Sequence, residues 1–308
     1  MNQYRKITVS LILLFLPVLL SAAGEKNKPH NSEELRGKRR LLKVTFIDVG
    51  QGDCTFIQTP EGKTILIDAG EGATEWSSYD AGKKTVVPFL ESLNIEKIDY
   101  VVMSHAHNDH IGGLRSVLTR FKVENFVDPG LQYPSWVYEG LLELVDQKNI
   151  KYIEAKAGDE LKWDKYCKFK VLNPPGRFFR GGSEANENSL LLKLTYNDIS
   201  FLFTGDIERV AEKTVVRNFR DDLLCTVLKV AHHGSTTSTS DIFLDWAQPL
   251  VAVIHVGSEN RWGHPKRETL KRLEDYGCKI YRTDRDGTVQ IETDGKKYKI
   301  KFLNSVKE

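Results

Sequence analysis

No Cys-x-x-Cys pair occurs in the 308 residues, although Cys54, Cys167, Cys225 and Cys278 are present. That excludes a zinc ribbon built on paired cysteines. Each cysteine sits in or beside an apolar run, as Cys54 does before Thr55-Phe56-Ile57, and reads as a buried free thiol. Also missing is a multi-span membrane segment, since no apolar run reaches the roughly 20 residues a spanning helix needs. Charge of either sign is not in excess: 44 basic residues face 42 acidic ones. The whole-chain field therefore gives no reason to expect nucleic acid, and only a local basic patch remains open. Long repeats and low-complexity tracts are absent too. What is present, 40% hydrophobic and 28% charged residues, is ordinary for a soluble globular protein with a buried core.

The first residues differ in kind. Arg5 and Lys6 precede an apolar run from Leu11 to Leu20, and Ser21-Ala22-Ala23 supplies small residues after it. This layout predicts a secretory signal peptide, residues 1–23, cleaved after Ala23. No cysteine follows the small residues, which argues against a lipoprotein. Export to the periplasm or the extracellular space is the expectation, with no stable membrane span left after cleavage. Removal of 1–23 leaves 42 basic and 42 acidic residues. Residues 24–42, ending in Arg36-Gly37-Lys38-Arg39-Arg40, lack apolar periodicity and read as a flexible basic linker.

From Lys43 the pattern is α/β. Strands are predicted at 43–49, 54–58 and 64–67, with a Pro60-Glu61-Gly62 turn between the last two. Helix is predicted at 84–93, 111–121 and 135–147, alternating with strands at 98–103 and 123–127. A second β-rich stretch covers 151–173, 189–196 and 199–204. Helices at 207–219, 240–247 and 266–276 then alternate with strands at 226–230 and 250–256, and strands at 279–282, 288–293 and 297–303 close the chain. Strands lead and helices follow, twice. Two sheets packed face to face with helices outside each, an αββα sandwich, would satisfy this as one domain, 43–305.

Three of the eight histidines fall within six positions, in Ser104-His105-Ala106-His107-Asn108-Asp109-His110. The string leaves a buried strand, where α/β proteins place chemistry. His105 and His107 are two apart, so extended backbone aims both rings the same way, toward one cation. Asp109 and His110 follow at the turn into a helix and suit a second. Imidazole and carboxylate favour Zn²⁺, Fe or Mn²⁺. Asp206 ends the apolar strand 201–203, placed to bridge two cations. His232-His233 ends the strand 228–231, and one of the two is expected to complete the second cation's shell.

These segments resemble the metallo-β-lactamase superfamily. More narrowly, Phe46-Ile47-Asp48-Val49-Gly50-Gln51-Gly52-Asp53, Leu66-Ile67-Asp68-Ala69-Gly70, Phe203-Thr204-Gly205-Asp206, Lys229-Val230-Ala231-His232-His233-Gly234-Ser235 and Thr283-Asp284-Arg285-Asp286-Gly287 are similar to the C-terminal hydrolase domain of the ComEC DNA-uptake channels. The resemblance implies the four-layer αββα fold and two divalent metal ions, Zn or Mn. It implies His105 and His107 on metal one, Asp109 and His110 on metal two, and Asp206 between them. His232, first off its strand, is placed on metal two, with His233 facing substrate. Asp68 is implied to orient a ligand histidine, and Asp48, Gln51 and Asp53 to line or brace the floor.

Two departures stand out. Many members supply a third histidine to metal one, yet no histidine lies between His110 and His232. Asn188, or else Asn186, is the expected stand-in, weakening metal one and shifting it toward Mn²⁺. These 308 residues hold no multi-span segment to match the channel portion of such proteins, so the hydrolase part alone, exported by its own signal, is the expectation.

Two cations bridged by Asp206 would share a water and bring its pKa near neutrality. The resulting expectation is a phosphodiesterase or nuclease, monomeric, acting on DNA or another phosphodiester. His233 is the first candidate donor beside Asp109, and His264 the second, unless His264 merely caps the helix begun at Pro265. Arg261, Lys266 and Arg267 near His264, and Arg177-Phe178-Phe179-Arg180, are the local groups able to meet phosphates or bases. The competing readings are a carbonyl hydrolase of the lactone or β-lactam type and a non-catalytic nucleic-acid-binding module. A binding module has no need to crowd so many ionisable groups into one place.

Overall fold

The computed structural model describes residues 40–75 and 77–303, so the expected signal peptide and nearly all of the linker lie outside the described residues. The strands are β1 (Leu42–Phe46), β2 (Thr55–Gln58), β3 (Thr64–Ile67), β4 (Lys97–Val102), β5 (Lys122–Asp128), β6 (Lys151–Glu154), β7 (Glu160–Leu161), β8 (Lys168–Asn173), β9 (Leu191–Tyr196), β10 (Ile199–Phe203), β11 (Val227–Lys229), β12 (Val251–Ile254), β13 (Lys279–Arg282), β14 (Thr288–Thr293) and β15 (Tyr298–Leu303). One sheet runs β15-β14-β1-β2-β3-β4-β5-β6 and the other β13-β12-β11-β10-β9-β8-β7. The helices are α1 (Val87–Ser92), α2 (Asn108–Ile111), α3 (Leu114–Arg120), α4 (Trp136–Gln147), α5 (Glu184–Glu187), α6 (Arg209–Leu223), α7 (Asp241–Ala247), α8 (Arg267–Asp275) and the single turn α9 (Thr283–Asp286).

Three apolar cores define the layers. Alternate residues of the strands, including Val44, Phe46, Ile65, Leu192, Phe201 and Val253, fill the space between the sheets. Leu66, Val101 and Phe126 point the other way, onto Leu90, Val117 and Leu141 of α1, α3 and α4. Leu202, Leu228 and Ala252 do the same against Val215, Leu244 and Leu273 of α6, α7 and α8. Period-2 alternation within strands buried on both faces thus yields the expected αββα sandwich. Each sheet joins an antiparallel meander to a parallel half, β3-β4-β5-β6 in one and β10-β11-β12-β13 in the other. The last hairpin leaves the second sheet and returns to pair β14 with β1, Thr45 opposite Gln290, with Gln290 Nε2 donating to Thr45 Oγ1 at 2.9 Å.

The helix expected over 111–121 is broken at Gly112-Gly113 into α2 and α3. A side chain at Gly113 would put its Cβ 2.2 Å from the Ala69 carbonyl oxygen. Glycine lets this turn press against the end of β3, at the expense of helix continuity. The short α5 carried no sequence signal. Its Glu187 accepts hydrogen bonds from Val210 N and Ala211 N, capping the first turn of α6. All four cysteines are free and buried.

Candidate metal centre

The carboxyl ends of the parallel strands converge on one site, as in open α/β sheets generally. β3 delivers Asp68, with a left-handed backbone at φ 58°. β4 leads through Ser104 into His105, His107 and α2, whose first residues include Asp109 and His110. β10 delivers Asp206, and β11 runs into the tight turn Ala231–Gly234, where His232 (φ 50°) and His233 (φ 52°) are both left-handed. The loop after β1 closes the floor. Its Asp53 N donates to the Asp109 carbonyl at 3.1 Å, and a Cβ on Gly52 would sit 2.1 Å from that same oxygen. Only glycine allows this approach.

One oxygen organises the histidines. Asp206 Oδ2 lies 3.3 Å from His110 Nε2, 3.6 Å from His233 Nε2, 3.9 Å from His232 Nε2 and 4.0 Å from His105 Nε2. The opposite nitrogens are tied down. His110 Nδ1 donates to Asp68 Oδ2 at 2.9 Å, and His233 Nδ1 to the His255 carbonyl at 3.0 Å. His105 Nδ1 lies 3.1 Å from Ser104 Oγ. Such outer bonds fix the tautomer and aim Nε2 at a shared point. His107 presents Nδ1 instead, 3.0 Å from His105 Nε2, while its Nε2 lies 3.5 Å from the Tyr133 hydroxyl.

The residues fit divalent cations. His110 Nε2, His233 Nε2, Asp206 Oδ1 and Asp53 Oδ1 are buried with no hydrogen-bond partner, and buried polar atoms are rarely left so. Potential ligand atoms of His105, His110 and Asp206 cluster within 4.8 Å, as do those of Asp53, His110 and His233. The electrostatics tell the same story. Burial disfavours charge on His233, but Asp206, Asp109 and Asp53 outweigh it and lift its pKa to about 10. His110 is raised well above the ordinary value, Asp206 and Asp53 overcoming its burial. Burial works against the Asp109 and Asp206 carboxylates, yet the neighbouring histidines hold both below the usual range. His105 and His107 go the other way: burial, then the neighbouring His110 for His105, lowers His105 strongly, and burial lowers His107. Carboxylates here seek positive charge, and protons occupy rings that suit metal.

The paired histidines, of which His232 was the expected ligand, differ in surroundings. His233 is the buried ring, its Nε2 3.2 Å from Asp109 Oδ2. His232 is part-exposed at the cavity wall, its Nδ1 3.2 Å from Glu208 Oε1 and its Nε2 3.9 Å from Asp206 Oδ2. Both residues have left-handed backbone, so their rings do not alternate as they would in a continuing strand. Asn188, the expected stand-in for the missing histidine, does not offer a free amide to the site. Its amide is consumed by backbone, with Nδ2 donating to Phe179 O and Glu184 O and Oδ1 accepting from Phe179 N. Asn186 instead lines the cavity of about 310 Å³ shared by His107, Asp206, His232 and His264. Its Nδ2 donates to Glu208 Oε1 at 3.1 Å, and its Oδ1 is buried and unpaired.

Gln51 also lines this cavity and accepts from Gly257 N at 3.1 Å. Asp48 lies in the loop after β1, where its carboxylate accepts from Gly50 N; it braces that turn and does not line the cavity. His264 reaches the cavity, its ring centroid 5.7 Å from His232. Burial, then His233 and His232, lowers its pKa to about 4. A larger cavity of about 900 Å³ opens elsewhere, around Tyr100, Trp163 and Phe169, and no histidine lines it.

Two residues escaped the sequence reading. Lys229 is buried at the end of β11, its Nζ against Asp53 Oδ2, 2.9 Å from the Gly205 carbonyl and 3.6 Å from Asp206 Oδ1. Burial disfavours its charge, but Asp53 and Asp206 outweigh that and keep it an ammonium. His255, wholly buried after β12, has Nε2 bonded to the Cys54 carbonyl and its own carbonyl bonded to His233. Its position after the apolar run Val251–Ile254 was the available signal.

Residues 47–257 match the metallo-beta-lactamase superfamily. ComE operon protein 3 of Bacillus subtilis (strain 168) is 32% identical over 290 residues, covering 91% of this chain and 34% of that protein. Competence protein ComA of Neisseria gonorrhoeae is 30% identical over 250 residues, covering 80% of this chain and 32% of that protein. This chain thus spans about a third of the length of these relatives. Among solved structures, CmlA, a diiron beta-hydroxylase from Streptomyces venezuelae, superposes with a TM-score of 0.52 at 13% identity, covering 85% of this chain and 54% of that one, a likeness of fold alone. Family match, sheet order and the histidine–aspartate constellation agree: the chain belongs to the metallo-beta-lactamase superfamily.

Proposed function

We propose that this chain is an exported phosphodiesterase that works with two divalent cations, Zn²⁺ or Mn²⁺, and acts on DNA. The observation that carries the reading is the convergence of four imidazole Nε2 atoms on Asp206 Oδ2 within 4.0 Å. Asp109, His110 and His233 would hold one cation, and His105, His107 and the Asn186 carbonyl oxygen the other, with Asp206 common to both. When bound, the pair supplies an activated water at neutral pH and charge for the phosphate oxygens.

The chain's own groups do the rest. Asp68 and the His255 carbonyl hold His110 and His233 in the tautomer that leaves Nε2 free. Lys229 cancels part of the Asp53 and Asp206 charge, so the carboxylates stay ionised in a buried place. His232, oriented by Glu208 at the cavity wall, is positioned to give a proton to the leaving oxygen. Support for DNA comes from the resemblance to the hydrolase domain of DNA-uptake channels and from a relative named a competence protein. Support for export is the Arg5-Lys6, Leu11–Leu20, Ala22-Ala23 leader.

The test is Mn²⁺- and Zn²⁺-dependent hydrolysis of bis-p-nitrophenyl phosphate by the purified 24–308 chain, with Asp109→Ala as control. Metal-dependent turnover that vanishes in the variant is the expected result. A metal-loaded protein without turnover would overturn the phosphodiesterase reading.

A further inference from the structure

Of the exposed large apolar side chains among the described residues, Trp262 is the one that lines the cavity of the metal centre. It is 44% exposed, which leaves part of the indole uncovered beside the cavity. The Arg261 guanidinium lies over the indole, 4.4 Å from the ring centroid.

The loop that carries the pair is stapled. Asn260 donates from Nδ2 to Gly257 O and His264 O at 2.8 Å each, and its Oδ1 accepts from His264 N at 2.8 Å. Lys266 Nζ donates to the Trp262 carbonyl at 2.5 Å. Gly263 turns the chain at φ 62°. Trp262, Arg261 and the cavity histidine His264 are therefore carried on one short segment whose backbone is tied down. The other aromatic–basic candidate is engaged elsewhere. Phe179 packs against the outer core of the second sheet, and Arg180 pairs with Glu184 at 2.5 Å.

The geometry points to Trp262 as a stacking platform for a nucleobase of single-stranded nucleic acid, with Arg261 meeting a flanking phosphate. This rests on the phosphodiesterase reading and names the feature that would distinguish a nucleic acid from a polymer bearing phosphates without bases. An aromatic face with an adjacent cation takes any base, so little sequence preference follows.

The experiment is fluorescence anisotropy on the full metal-loaded chain. The probes are single-stranded phosphorothioate oligonucleotides of about eight residues, hydrolysis-resistant, one carrying bases and one abasic throughout. The wild-type chain is expected to bind the base-bearing strand about 5- to 150-fold more tightly, the range for one stacked base. Trp262→Ala should abolish that difference and leave abasic binding unchanged, and Trp262→Phe should keep most of it. Equal binding of both strands by the wild type, or equal loss of both in Trp262→Ala, overturns the platform. Hydrolysis of bis-p-nitrophenyl phosphate is scored separately, so failure of the phosphodiesterase reading stays distinguishable from failure of the platform.

Discussion

On the Asp109 side of Asp206, both imidazoles are buried and both are anchored, His110 by the Asp68 carboxylate and His233 by the His255 carbonyl. On the His107 side the anchoring thins out. His105 has a hydroxyl for a partner, the outer nitrogen of His107 meets a phenol at 3.5 Å, and Asn186, proposed above as the remaining ligand on this side, is itself bonded to Glu208. The halves share the Asp206 carboxylate but differ in preorganisation, and affinity follows how firmly outer contacts fix the ligands. The expected consequence is a tightly held cation on the His110–His233 side and an exchangeable one on the His105–His107 side.

The largest effect should come from the shared residue. Asp206→Ala removes the link between the halves and should lower turnover of bis-p-nitrophenyl phosphate by about 10³-fold or more, with both metals lost in elemental analysis. Retention of either metal at wild-type affinity would break the picture of a common bridge.

Next come the paired histidines, which separate the halves. His233→Ala should lose the tight metal. His232→Ala should keep both metals and lose about 10²-fold in kcat, the scale of one missing proton donor. The reverse pattern would restore the order expected from the strand end.

Asp68→Asn probes the anchoring itself. It should weaken the tight site by about 10- to 100-fold and leave the weaker site nearly unchanged, read by competition with a chromogenic chelator. Equal weakening of both sites would argue that burial, and not anchoring, makes the difference.

The smallest effect on activity is expected behind the histidine turn. Glu212 accepts hydrogen bonds from Thr239 N and Ser240 N, and Thr239 Oγ1 in turn accepts from Ala231 N. Burial lifts the Glu212 pKa to about 7. The folded value is raised above the unfolded one, so the stabilising contribution is full below about 4.5 and lost as pH rises through about 7. Glu212→Gln should remove up to about 3 kcal/mol of that pH dependence, read from urea midpoints at about pH 5 and pH 8, without changing the ratio of the two metal affinities. A changed ratio would tie the turn's stability to the metal-two half.

Much of this was legible in the chain. Strand alternation and the punctuation by glycine and proline located nearly every element, because the inter-sheet core demands period-2 burial along β1, β3, β9 and β10. The segments around His105, Asp206 and His232 were legible because each follows a buried strand. What escaped depends on dihedrals and on pairing across sheets. The left-handed turn that buries His233 has no residue signature, since neither histidine is glycine or asparagine. Choosing Asn186 over Asn188 requires knowing which amide the backbone consumes. Lys229 reads as an ordinary strand residue until the register opposite Phe203 sets its ammonium beneath Asp206.

The most direct test of a two-cation centre with unequal halves is calorimetric titration of the metal-free chain with Mn²⁺, run beside His233→Ala and His107→Ala. Two binding events of clearly different affinity, the tighter lost in His233→Ala and the weaker in His107→Ala, are the predicted result. A single event, two equal sites, or loss of the tight site in His107→Ala would contradict the account.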